Sequence, residues 1–125
     1  NLSDLSRFIV SNSDIISFHT YGDIKEMKLR VDQLEIYNRP IMCTEYLARG
    51  QGSTFQAMLP LLKEKKIAAI NWGFVAGKTD TIFPWSSWDI DFTAPPEIWH
   101  HDIYMPDKTP YDQEEIDFIK EITSK

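Results

Sequence analysis

Basic residues are in short supply in this chain: 13 Lys and Arg stand against 19 Asp and Glu, for a formal net charge of −6. An acidic balance of that size is a poor match to a phosphate backbone and argues against nucleic acid as a partner. Cysteine is scarcer still. Cys43 is alone, so no internal disulfide can form and the cysteine count does not identify a redox compartment. Its place in an apolar run predicts a buried small hydrophobe. No apolar run approaches the roughly 18 residues a spanning helix needs, which argues against a membrane, and Leu2 to Val10 is too polar for the core of a signal peptide. Gly50-Gln-Gly52 lacks the Gly-Lys-Ser/Thr that completes a phosphate loop. Internal repeats and low-complexity segments are absent as well.

What is present centres on Arg39 to Tyr46. Ile41 to Cys43 is an apolar run led in by Asn38-Arg-Pro. It reads as a strand covered on both faces, with Pro40 at the start, where its missing N–H costs least. Polarity then changes abruptly at Thr44-Glu45-Tyr46. A carboxylate at the C-terminal end of a buried strand, ahead of a glycine-containing loop, stands where α/β barrels keep their chemistry.

On either side the chain alternates. Asn1 to about Val10 has helical spacing, and an element that begins mid-stride at Asn1 predicts that the chain is the end of something longer. Ser11 to Asp14 is a turn cluster, and Ile15 to Phe18 a short strand. Asp23 can cap a helix, with Glu26 at the capping-box position and Ile24, Met27, Val31 and Leu34 on one face. After the strand bearing Glu45, Ser53 or Thr54 can cap a second helix that buries Phe55, Met58, Leu59 and Leu62. Pro60 is expected to kink that helix or delay its start. Ile67 to Trp72 reads as a third buried strand. Strands joined by helical connections of this length are parallel. Residues 74–110 form a long aromatic excursion, and 112–123 a terminal helix with Ile116, Ile119 and Ile122 inward.

Each strand ends in groups that can do chemistry. His19 and Tyr21 follow the first and share a period-two face with Ser17. Glu45 ends the second, on the face of Ile41 and Cys43. Trp72 ends the third, on the face of Ile70. In a parallel sheet these ends lie side by side at one rim. Each residue also has a plain structural reading: a solvated Glu, a turn His, core-edge aromatics with satisfied polar tips. Trp85, Trp88 and Trp99 are expected to pack the excursion onto the sheet or, alternatively, to line subsites. His100-His101-Asp102 lacks a third partner at ligand spacing and reads as a polar loop, not a metal site. No cofactor is implied.

The ordered set His19-Thr-Tyr21, Thr44-Glu45-Tyr46 and Asn71-Trp72-Gly73 resembles the last three strands of retaining (β/α)8-barrel glycoside hydrolases, especially the cellulase-like family five and its bacterial relatives. Trp85-Ser-Ser-Trp88, and Trp99-His-His-Asp-Ile through Thr109-Pro-Tyr111, resemble the ending of uncharacterised members of that group. The resemblance implies an α/β fold in which residues 1–125 are the C-terminal portion of a TIM barrel. It implies a carbohydrate substrate, Glu45 as nucleophile, Tyr21 orienting it, His19 lining the site and Trp72 as a sugar platform. It also suggests a periplasmic or secreted setting. A carboxylate nucleophile forms a glycosyl-enzyme intermediate, and a second carboxyl roughly 5–5.5 Å away protonates the leaving oxygen.

The sequence departs from that family in lacking the Asn-Glu pair of the fourth strand, which carries the acid/base, and the first five strands. The expectation is therefore a piece whose inner face, with Ser17, Ile41, Cys43 and Ile70, has no opposite layer, and which is silent alone and prone to self-association through open sheet edges. The rival expectation is a non-catalytic carbohydrate-binding or assembly module derived from such a barrel.

Overall fold

The computed structural model describes residues 2–124. Its order is α1 (Asp4–Ser11), β1 (Ile16–His19), α2 (Ile24–Glu35), β2 (Ile41–Glu45), α3 (Phe55–Glu64), β3 (Ala68–Ala69) and α4 (Gln113–Thr123), with 3-10 turns at Arg49–Gln51 and Trp85–Trp88. The three strands form one parallel sheet in the order β1-β2-β3, so β1 and β3 are both edges. The fold is mixed α/β with a small open parallel sheet.

The helices begin where side-chain oxygens can take up free N–H groups. Asp23 accepts from the amides of Lys25 and Glu26, Thr54 from that of Ala57, and Asp112 from that of Glu114. In α2 only the Asp23 half of the capping box is made; the Glu26 carboxylate instead meets Arg30 at 3.4 Å. The first helix does not start mid-stride: Ser3 caps it, accepting from the Ser6 amide. Asn1 lies outside the described residues. Pro60 does not delay α3, which starts at Phe55. Gln56, whose carbonyl loses its helical partner to Pro60, is exposed together with the proline, so water can replace that bond.

Met27, Val31 and Leu34 from α2 and Phe55, Met58 and Leu62 from α3 pack with Ile16, Ile41 and Cys43 in one core. Register explains which strand residues join it. Ile16 pairs with Ile41 and Phe18 with Cys43, so these four share the helix-covered face. Ser17 pairs with Met42, and Met42 with Ala68, and these share the other face, where Ser17 and Ala68 are exposed and Met42 is half-buried. Ile41 and Cys43 are therefore core residues; they do not share a face with Ser17 and Ile70, as strict alternation along separate strands had implied.

The third strand is shorter than its apolar run. Only Ala68 and Ala69 form the ladder, yet the amide of Ile70 still bonds the Cys43 carbonyl at 2.8 Å, and that of Trp72 the Tyr46 carbonyl at 2.8 Å. The backbone thus follows β2 to its end while the Ile70 and Trp72 side chains stay about half exposed.

The 74–110 excursion is ordered by its own bonds. Val75 and Tyr104 form a parallel bridge, Tyr104 and Pro110 an antiparallel one. The amides of His100 and His101 bond the carbonyls of Ile82 and Thr81, closing the segment between them at its neck. Among the described residues no helix is long and apolar enough to cross a membrane.

Candidate active site

The register of β1 against β2 slips after Phe18. Continued regularly it would set His19 opposite Thr44; instead His19 pairs with Glu45. A bulge of this kind re-aims a side chain at the end of a ladder, and here it gathers the polar ends of two strands. Tyr21 Oη donates to Glu45 Oε2 at 2.6 Å, and His19 Nδ1 lies 3.3 Å from the same oxygen. The Thr20 amide bonds the Glu45 carbonyl and Thr44 Oγ1 donates to that of Phe18, locking the two ends together. Burial, then the bond to Glu45 and the carboxylate's charge, push the Tyr21 hydroxyl well above the ordinary tyrosine range. Tyr21 therefore remains a protonated donor at any physiological pH, and a bond to the charged carboxylate favours that charge.

Trp72 completes the rim. Glu45, Tyr21 and Trp72 line one cleft of about 370 Å³. Its opposite wall comes from the excursion: Thr79 to Thr81, Phe83 to Trp85, Trp88 and His101. Three of the four strand-end residues thus meet in the cleft, and His19 reaches it through its contact with Glu45. Trp85 sets its ring edge-on to Tyr21 at 5.4 Å and to His100 at 4.7 Å, so it packs the excursion onto the rim while forming part of the wall. Trp88 is 82% exposed over the same cleft. Trp99 is buried, stacked on Tyr111 at 4.7 Å, and takes no part in the wall.

His100-His101-Asp102 is a polar loop, as expected, but a buried one. All three side chains are buried, and the cause is Arg49, at the first turn after β2. Its guanidinium bonds the carbonyls of Trp99, His101 and Asp102, and forms a two-pronged pair with Glu115 of α4, at 2.8 and 2.6 Å. Thr81 donates to the buried Asp102 carboxylate at 2.6 Å. The strand that presents Glu45 is thereby tied to the far wall of the cleft. Sequence spacing offered no sign of this pairing, because the partners stand 66 residues apart.

Two backbone positions are tight. Gly73 has φ +84, and a Cβ there would lie 2.5 Å from the Asp102 amide nitrogen. Leu47, buried next to the rim, has φ +82, a costly conformation for a branched side chain and one that concentrates at functional sites.

No protein-family model, no curated protein and no solved structure matches this chain. Among the described residues no group of three or more His, Cys, Asp or Glu side chains is set to hold a metal ion. What the rim offers is an oriented carboxylate at the C-terminal end of a parallel strand, with aromatic faces around it.

Proposed function

We propose that residues 1–125 are the C-terminal portion, with the last three strands, of a retaining (β/α)8-barrel glycoside hydrolase that cleaves β-glycosidic bonds. The observation that carries this reading is the 2.6 Å bond from Tyr21 to Glu45 at the carboxyl rim of a parallel sheet, in a cleft bordered by tryptophan. Glu45 is the nucleophile. Its oxygen attacks the anomeric carbon as the glycosidic bond breaks, and the resulting ester is hydrolysed by water. Tyr21 holds the carboxylate in position, and His19 lies alongside it. The exposed ring of Trp72 supplies an apolar face for the sugar.

The open face of Ser17, Met42 and Ile70 supports the barrel assignment, since the interior of a barrel is filled by opposing layers from all eight strands. The acid/base carboxyl belongs to strands outside these residues. The test is the complete protein against aryl β-glycosides, wild type beside Glu45→Gln. Turnover in the first and loss of at least several orders of magnitude in the second is the expected result. Binding without turnover in the wild type would favour a carbohydrate-binding module instead.

A further inference from the structure

We propose that His101 is a further substrate-binding residue of this cleft, whose Nε2 accepts a hydrogen bond from a hydroxyl of a sugar unit. The proposal rests on the glycosidase reading and extends it to a residue outside the strand-end set.

The chemistry follows from one bond. His101 Nδ1 lies 2.5 Å from the Leu47 carbonyl oxygen. A carbonyl can only accept, so Nδ1 carries the hydrogen. Burial pulls the His101 pKa below the ordinary histidine value, against the opposing pull of the Leu47 carbonyl and the Asp102 and Glu45 carboxylates, and the ring is neutral at pH 7. A neutral ring protonated on Nδ1 presents a bare lone pair on Nε2.

That nitrogen has no hydrogen-bond partner among the described residues. The neighbouring His100 also has an unpartnered Nε2, but it is sealed from solvent. The Nε2 of His101 is not among the sealed, partnerless atoms, and the residue, 4% exposed, is part of the cleft wall. The ring is held by its bond to the Leu47 carbonyl, on a backbone that is itself tied down. Arg49 grips the His101 carbonyl, and Tyr21 packs against the ring edge at 5.6 Å. The flanking backbone is held at positive φ on both sides of the contact, at Leu47 and at Asp102.

A fixed, nearly buried acceptor selects its ligand. It needs a partner that brings a hydrogen, which a sugar hydroxyl does. A carboxylate or phosphate at neutral pH brings none and adds a lone pair against the bare nitrogen. Tyr21 cannot be that partner, because its hydrogen is committed to Glu45. His101 therefore favours a hydroxyl over a carboxylate or phosphate group at the one position its Nε2 faces.

The test uses the complete protein, with Glu45→Gln to stop turnover, labelled with 15N in histidine. The probes are methyl β-glucoside, β-galactoside, β-mannoside, β-xyloside and β-glucuronide. The expected result is that a probe that binds shifts the His101 Nε2 resonance while Nδ1 stays protonated. With the active protein, His101→Asn keeps a donor for Leu47 but removes Nε2. It is expected to raise KM for the matching aryl glycoside roughly tenfold, the scale of one lost hydrogen bond, and His101→Gln, whose amide reaches the Nε2 position, to recover part of the loss. Binding or cleavage with Nε2 unmoved overturns the role of His101 and leaves the glycosidase reading intact. Absence of both binding and cleavage for every probe overturns both. If His101→Asn does not fold, the resonance of the unsubstituted residue decides.

Discussion

Tyr21 and Glu45 are 24 residues apart in the chain, and their oxygens are 2.6 Å apart at the rim. The bond exists because β1 slips by one residue against β2, so it joins a backbone irregularity to a candidate nucleophile. Its contribution can be separated from that of the carboxylate. Glu45→Gln removes the nucleophile itself and should lower kcat by several orders of magnitude in the complete protein, with little change in fold. Tyr21→Phe removes one hydrogen bond to a charged group, worth roughly 1.5–3 kcal/mol, and should lower kcat about 10- to 100-fold. Steady-state rates on an aryl β-glycoside decide the matter: a Gln variant keeping more than about a tenth of the activity would remove Glu45 from the role.

The Arg49–Glu115 pair is a second place where one substitution should have a large effect. Both side chains are 6% exposed. Glu115→Ala leaves the guanidinium buried with carbonyls as its remaining partners, a situation that typically costs about 3–5 kcal/mol. Glu115→Gln keeps an acceptor and should cost less. Urea denaturation of the two variants should rank them in that order; equal, small effects would mean that the pair is held by its surroundings.

Gly73→Ala tests the close approach at the end of the third strand. The new methyl group would enter space next to the Asp102 amide, on a backbone at φ +84. Strain of this kind costs on the order of 1–3 kcal/mol, and the wall segment carrying His101 should shift to relieve it. The expected outcome is both a lower denaturation midpoint and weaker glycoside binding. A variant as stable as the parent would show that the 101–102 backbone yields freely.

Stability should fall with acid for a reason that can be traced to His100. Burial, then His101 and Arg49, hold its pKa down to about 4, while an unfolded histidine titrates near 6.5. Between those values the unfolded chain binds more protons, so stability is present above pH 6.5 and is lost as pH falls towards 4. From 6.5 to about 4, at 1.36 kcal/mol per unit, the loss is on the order of 3 kcal/mol. His100→Gln should flatten this part of the curve of unfolding free energy against pH. If the slope between pH 4 and 6.5 does not change, the histidine is not held neutral.

Residues 1–125 in isolation should not behave as a stable monomer. Both sheet edges are open, and Leu5, Phe8, Ile70 and Phe74 are each about half exposed or more. Each large apolar side chain left in water forgoes roughly 1.5–3 kcal/mol, against a typical domain stability of about 5–15 kcal/mol. Sedimentation should reveal larger species or a chain without cooperative unfolding. A compact monomer that unfolds in one sharp transition would show that the open face needs no cover.

Local chemistry was legible in the sequence, and long-range pairing was not. The cap at Asp23, the cap at Thr54 as one of two candidates with Ser53, and the inward faces of α2 and α3 follow from spacing, because both depend on neighbours within a turn or two. The convergence of Tyr21, Glu45 and Trp72 followed from strand ends in a parallel sheet. The assignment of sheet faces failed because alternation within a strand says nothing about its register with the next, nor about the slip after Phe18. The third strand was drawn too long because an apolar run does not specify where a ladder stops. The burial of the polar loop His100 to Asp102 was not legible because the residue that buries it, Arg49, is remote in sequence, as is Glu115, which balances its charge.

The neck formed by Thr81 and Ile82 with His100 and His101 divides the excursion into two parts with different freedoms. Below it, the wall is clamped by Arg49 and Thr81 and can change little. Beyond it, residues 83–99 form a loop whose two ends are already joined, so its length can change at a small entropic cost. Trp88 lies on that loop, and His101 does not. A graft that replaces residues 86–98 can therefore alter which outer sugar units are gripped while the inner position keeps its shape, making the tip a natural cassette for retargeting the cleft.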